Sequence, residues 1–251
     1  MRLARSCRRY SGGVTAASDA LGGAIQVVDL AGVLGNAILG GIAARSARLD
    51  LVGFVVLATL SGLGGGIIRD TLLQHGPPLA LTDPAYLVLA VGGAAVAFVL
   101  PFAGRWSRRA LTLIDALAVG CWAAVGAQKA LAAGLGWLPA ILLGVITAVG
   151  GGMVRDLFLL RVPAIFGGNT LYATSALVAS IEMVVLTRLG LPAVGSAVAI
   201  LTGAALSLLA KRYGWVLPTE MRVRRPRALT GWWGRRSRLT AAGRDDRRDE
   251  R

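Results

Sequence analysis

Two short segments carry the residues best suited to chemistry, and they are copies of one another. Gly64-Gly65-Gly66-Ile67-Ile68-Arg69-Asp70 returns as Gly150-Gly151-Gly152-Met153-Val154-Arg155-Asp156, with Arg69 and Arg155 standing 86 positions apart (155 − 69). Each places an arginine and an aspartate directly behind three glycines, inside a long apolar run. Ionisable groups there are costly unless paired or hydrated, and mark ion or solute pathways by default. Three glycines in a helix interior cost up to about 1 kcal/mol each relative to alanine, and permit a break or a close approach of another backbone. The expected chemistry is therefore non-covalent: a bend at a conduction path, with Arg69, Asp70, Arg155 and Asp156 beside it. Close helix packing and interfacial charge are the plainer alternatives. Adjacent Arg and Asp diverge on a helix, so each is expected to pair with a group on another helix.

Other polar residues obey the same offset. Asp29 pairs with Asp115, Gly40 with Gly126, Ala44 with Ala130, Pro77 with Pro163 and Tyr86 with Tyr172. Agreement of this kind on rare residue types marks an internal duplication. Asp29 and Asp115 fall at the expected starts of the first and fourth spans, where an aspartate caps a helix and suits its dipole, or forms a cation-attracting mouth. Lys129 falls late in the fourth span, placed to snorkel or to face a pore. Asn36 and Gln128 are uncharged polar groups inside the first and fourth spans. Glu182 lies deep in the sixth and needs a partner such as Arg188, or a water-filled face. Enzymatic chemistry finds no support: Cys7, Cys121 and His75 form no metal-ligand spacing, and no nucleophile motif is present. No cofactor is expected.

The elements that hold these residues follow from composition. Hydrophobic residues make up 55% and charged residues 16% of 251, with a mean hydropathy of +0.64. That is too few charges for a water-exposed surface, so the partner is a lipid bilayer. Seven spans are expected near Val27–Ala44, Leu51–Leu73, Tyr86–Phe102, Leu111–Leu131, Trp137–Leu160, Leu171–Leu189 and Pro192–Leu209, separated by charges and by glycine or proline. The fold class is an all-α integral membrane protein with two three-helix repeats and a seventh helix. Because each repeat has an odd number of spans, the second enters the bilayer from the opposite side, as in many transporters and some channels. The expected divisions are a disordered extension over 1–26, the first repeat over 27–104, the inverted second repeat over 105–190, the seventh helix over 191–212 and a basic tail over 213–251.

The formal charge of +14 does not point to nucleic acid, because the excess sits in the terminal segments, as beside anionic headgroups. Arg45 and Arg48, then Arg105, Arg108 and Arg109, then Arg161 and the tail all follow odd-numbered spans. This puts those connections and the C-terminus in the cytoplasm, against the four arginines Arg2, Arg5, Arg8 and Arg9. Trp106, Trp137 and Tyr86 read as interfacial anchors.

With these motifs in place, the sequence resembles the prokaryotic trimeric intracellular cation (TRIC) channel family, also described as a glycine-transporter-like repeat family. The resemblance rests on Asp29 to Gly40, Leu49 to Gly53, Gly64 to Asp70, Asp115 to Lys129 and Gly144 to Pro163, and covers roughly residues 27–210. It implies a seven-span protomer, a homotrimer with one pore per subunit, permeation by monovalent cations (chiefly potassium), and a bacterial cytoplasmic membrane location. It implies helix kinks beside the pore at Gly64–Gly66 and Gly150–Gly152, so Gly65→Leu or Gly151→Leu would reduce flux and spare assembly. One departure stands out. The family places an aromatic in the first span, where this chain has Asn36, while the repeat mate Trp122 keeps it. A secondary carrier of glycine or another small neutral amino acid, and a scaffold without flux, are the alternatives.

Overall fold

The computed structural model describes residues 2–100, 102, 104–166 and 171–216, with side chains from Gly23 onward. The side chains of Arg2 to Arg9, and the basic tail with Trp232 and Trp233, lie outside the described residues.

Eight α-helices are present among the described residues: α1 (Arg2–Ser46), α2 (Leu51–Leu73), α3 (Leu79–Thr82), α4 (Pro84–Val99), α5 (Arg105–Ala132), α6 (Trp137–Phe158), α7 (Tyr172–Arg188) and α8 (Pro192–Tyr213). Five stretches are long and apolar enough to cross a bilayer: Gly23–Ser46, α2, α5, α6 and α8. Helix α4 is apolar but has 16 residues and α7 has 17, each about 25 Å long at 1.5 Å per residue.

Local chemistry sets the ends. The Asp50 carboxylate accepts the Gly53 amide at 2.7 Å and starts α2. Asp83 accepts the Ala85 amide at 3.0 Å ahead of Pro84, which occupies the first turn of α4. Gly134 (φ +79°) follows α5, and Gly214 (φ +64°) ends α8 in the left-handed conformation. Two starts differ from expectation. Helix α1 begins at Arg2, so the segment expected as a disordered extension is helical; nothing before Pro77 is a proline, and Ala, Arg and Leu recur. Helix α5 begins at Arg105, so the basic cluster expected between spans forms its first turns.

The packing is inverted relative to a water-soluble protein. Small residues fill the interior, among them Ala37, Ala58, Ala90, Ala118, Ala123, Ala176 and Ala199, while Leu51, Val52, Leu72, Phe98 and Leu201 point outward. Trp106 and Trp137 are also exposed. Where no hydrophobic driving force joins helices, small residues let backbones approach closely and van der Waals contact does the work. Helix α1 packs on α2, α4 and α5; α2 packs on α6; α8 packs on α5 and α7.

An internal two-fold relation organises these contacts. Gly32 of α1 faces its own repeat mate Ala118 of α5, whose Cβ lies 2.7 Å from where a Cβ on Gly32 would stand. In the α2–α6 crossing, a Cβ on Gly65 would meet the Thr147 carbonyl, and one on Gly151 would meet the Ser61 carbonyl, Ser61 being the mate of Thr147. The later residue of each helix meets the earlier residue of the other. Helices α2 and α6 therefore cross antiparallel, with the local axis between Gly65 and Gly151. Such reciprocity is the mark of a two-fold contact.

Candidate functional site

Both glycine triplets sit at this crossing, and both helices run through them without interruption. Gly65 would bring a Cβ to 2.1 Å from the Thr147 oxygen, and Gly151 to 2.3 Å from the Ser61 oxygen. Gly150 would reach 2.9 Å from the Gly65 Cα, and Gly64 3.4 Å from the Gly151 Cα. The first two glycines of each triplet are there because two backbones touch. The third differs: a Cβ on Gly66 or Gly152 would meet nothing nearer than the guanidinium of Arg69 (3.7 Å) or Arg155 (3.8 Å).

Beyond the crossing, each arginine turns back on the aspartate beside it. Arg69 donates from Nε to Asp70 Oδ1 at 2.7 Å and from its terminal nitrogen to Oδ2 at 3.1 Å. Arg155 donates from Nε and a terminal nitrogen to Asp156 Oδ1, both at 3.0 Å. The expectation that neighbouring Arg and Asp would each pair with another helix is corrected for the arginines, while Asp70 does reach a partner on another helix. The long arginine side chain can fold back across its own turn, and the glycine a turn earlier leaves room for it. Asp70 has two further partners: Lys129 Nζ at 3.2 Å from α5 and the Leu79 amide at 3.0 Å from α3. Arg69 and Asp70 are 5% and 8% exposed, so this is a buried, fully engaged pair.

The remaining aspartates are not helix caps, because α1 and α5 begin far upstream of them. Asp29 accepts hydrogen bonds from the Tyr86 hydroxyl and, at 2.7 Å, from Trp122 Nε1. Asp115 accepts from the Tyr172 hydroxyl at 3.1 Å and from Lys211 Nζ at 2.7 Å, and the ammonium lies 5.7 Å from the Tyr172 ring centroid. Tyr86, expected as an interfacial anchor, is buried against Asp29. Repeat spacing had already paired Asp29 with Asp115 and Tyr86 with Tyr172, and that was the available signal for these two contacts. Lys211 belongs to α8, outside the duplication, and no spacing could have assigned it.

These groups line two cavities that the two-fold relation exchanges. The first, of about 30 Å³, is lined by Asp29, Gly65, Gly66, Arg69, Asp70, Tyr86 and Trp122, among others. A wider vestibule of about 370 Å³ shares Asp70 and Leu79 with it and adds Lys129 and His75. The second cavity, of about 200 Å³, presents the mates: Asp115, Gly152, Arg155, Asp156 and Tyr172, with Asn36 where the first has Trp122, and Lys211 in addition. Because α2 and α6 are antiparallel, the two cavities lie toward opposite ends of the bundle.

Other expected residues fall outside both cavities. Glu182 accepts a hydrogen bond from the Thr202 hydroxyl of α8 and not from Arg188, since Thr202 sits level with it on the packed neighbouring helix. Gln128 faces outward from α5. Cys121 is buried as a small packing residue. Among the described residues no His, Cys, Asp and Glu cluster could hold a metal ion.

Comparison with known proteins places this arrangement. A family model described as "Glycine transporter" matches the chain twice, over residues 26–101 and 112–188, one match to each repeat. A UPF0126 membrane protein of Deinococcus radiodurans is 41% identical over 152 residues, covering 59% of this chain and 70% of its own. The UPF0126 inner membrane protein YadS of Escherichia coli K12 is 36% identical over 158 residues, covering 61% and 74%. Among solved structures, a TRIC cation channel superposes with a TM-score of 0.73 at 32% identity, over 78% of this chain and 97% of that one. The TRIC trimeric intracellular cation channel orthologue from Rhodobacter sphaeroides gives 0.66 at 32% identity, over 76% and 96%.

Proposed function

The chain belongs to the family described as Glycine transporter, and from that premise we propose that it is a potassium-permeable monovalent cation channel with one pore per subunit of a homotrimer. Its two repeats are inverted in the bilayer of the bacterial cytoplasmic membrane, and its C-terminus is cytoplasmic. The likeness to TRIC cation channels over most of the chain supports the class of function, and the inner-membrane relative in Escherichia coli supports the location. Membership of a family of membrane proteins also favours transport over catalysis.

One observation carries the reading furthest. Two cavities lined by carboxylates approach the Gly65–Gly151 crossing from opposite ends of the bundle. They are the two halves of a path, and the crossing with its Arg–Asp pairs is the septum between them. Charged groups inside apolar helices are tolerated here because each is paired or faces a cavity. In this reading the Arg69–Asp70–Lys129 cluster closes one half and the Arg155–Asp156 pair the other, so conduction requires these contacts to loosen.

A second reading follows from the charge composition of the second cavity. Its roughly 200 Å³ presents Arg155 together with Asp115 and Asp156, a combination that complements a small zwitterion such as glycine. Inverted repeats also suit alternating access. Liposomes separate the two: potassium flux into proteoliposomes without saturable uptake of labelled glycine supports the channel. Saturable glycine uptake without potassium flux supports the carrier.

A further inference from the structure

We infer that Lys211, in the last turn of α8, is a releasable plug of the second cavity: its ammonium closes that half while bound to Asp115 and opens it by turning outward. The inference rests on the channel reading and adds to it a residue that controls one half of the path.

The type of side chain is the first observation. Of the chain's 27 lysines and arginines, only Lys129 and Lys211 are lysines. Each lines a cavity and bonds an aspartate there: Lys129 Nζ lies 3.2 Å from Asp70 Oδ1, and Lys211 Nζ lies 2.7 Å from Asp115 Oδ2. Elsewhere the basic side chains are arginines, whose planar fork can hold a carboxylate by two bonds, as Arg69 holds Asp70. An ammonium on a flexible stem makes a point contact that is more easily released. The two lysines are not repeat mates. The 86-residue offset puts Ala43 where Lys129 stands, and α8 lies beyond the second family match, which ends at residue 188. Lys211 is therefore a separate device on the second half.

Lys211 also points against the usual preference of its position. A lysine in the last turn of a spanning helix snorkels outward to headgroups and water, and there suits the helix dipole. Here the ammonium is turned inward, 2.7 Å from Asp115 and 5.7 Å from the centroid of the Tyr172 ring. The inward and outward placements each satisfy the charge, so a change of side-chain conformation is enough to pass between them. The swing is short, because the Lys211 side chain is already 30% exposed while that of Asp115 is 12% exposed. Turned inward, the ammonium stands in a cavity of about 200 Å³ whose charged lining residues are Asp115, Arg155, Asp156 and Lys211. Arg155 bonds Asp156, and among the described residues Lys211 is the one cation bonded to Asp115. Its departure removes a fixed positive charge from the cavity and exposes the Asp115 carboxylate, and both changes favour the entry of cations.

Amine labelling and potassium flux, measured on the same purified proteins, test the inference. In lipid nanodiscs a water-soluble succinimidyl ester labels accessible lysines, and peptide mass spectrometry reads Lys211 against Lys129 as the internal reference. Asp115→Asn keeps the shape and removes the charge that holds the ammonium inward, so Lys211 labelling is expected to rise several-fold over wild type while Lys129 is unchanged. In proteoliposomes, Lys211→Met and Lys211→Gln are each expected to raise potassium flux several-fold. Lys211→Arg, which keeps the charge and can hold the carboxylate by two bonds, is expected to leave flux at or below wild type. Unchanged Lys211 labelling in Asp115→Asn, folded neutral variants with flux no higher than wild type, or Lys211→Arg as permeable as Lys211→Met would overturn the inference. No flux from any variant, with the labelling shifted, rejects the channel reading on which the plug rests. Wild-type flux that the neutral variants do not raise rejects the plug alone.

Discussion

The carbonyl oxygen of Thr147 lies 2.1 Å from where a β-carbon on Gly65 would stand, so α2 and α6 touch backbone to backbone. Any side chain there must push two buried helices apart. The same holds for Gly151 against Ser61 at 2.3 Å. Gly65→Ala and Gly151→Ala are each expected to destabilise the protomer by about 1–3 kcal/mol, the usual range for overpacking, with a lower melting temperature in detergent. This replaces the expectation that substitution at these glycines would affect flux alone. Leucine at either position should abolish folded yield.

Gly66 and Gly152 supply the contrast. A Cβ at either is in ordinary contact with an arginine side-chain end and with nothing else. Gly66→Ala and Gly152→Ala should leave thermal stability unchanged or slightly raised, since alanine favours a helix interior by up to about 1 kcal/mol. Because the methyl group lies beside the guanidinium, an altered open probability in single-channel recordings is the effect expected. Loss of folded yield in either variant would contradict the assignment of these two glycines to the cavities.

Asp70 holds Arg69 by two hydrogen bonds and takes Lys129 and the Leu79 amide as well. Asp70→Asn leaves a buried guanidinium without its counter-charge and should cost about 3–5 kcal/mol. The double variant Arg69→Met with Asp70→Leu removes both charges and should recover most of that loss. Chemical denaturation in detergent of wild type, single and double variants measures the difference. A double variant no more stable than Asp70→Asn would show that the charges themselves do not set the cost.

Trp122 lines the first cavity where its repeat mate Asn36 lines the second. Trp122→Asn is expected to raise potassium flux several-fold and to admit larger organic cations, by widening the tighter half of the path. Asn36→Trp is expected to lower flux by narrowing the other half. Proteoliposome flux assays with cations of graded size check both.

Much of this architecture was legible in the sequence. The 86-residue offset gave the repeat, and with it the matching of Asp29 to Asp115 and of Tyr86 to Tyr172. Apolar runs gave α2 and α6 to within two residues of their ends, because capping groups and glycine–proline breaks coincide there. What escaped was three-dimensional. Glycine triplets signal a break and a close contact by the same residues, and only the partner helix decides between them. Whether Arg69 bonds Asp70 or a distant group depends on side-chain conformation and on the space at Gly66. Asp29 resembled a cap because an apolar run starts near it, whereas the helix continues upstream through residues of ordinary helix propensity. Lys211 reaches Asp115 across a helix contact without a repeat counterpart.

If cations cross this protein by way of the two cavities, planar-bilayer recording of the purified wild-type protein in asymmetric potassium chloride will show it. Discrete openings that reverse near the potassium equilibrium potential are predicted. A silent bilayer from folded, membrane-inserted protein, or openings that reverse near the chloride potential, would contradict it.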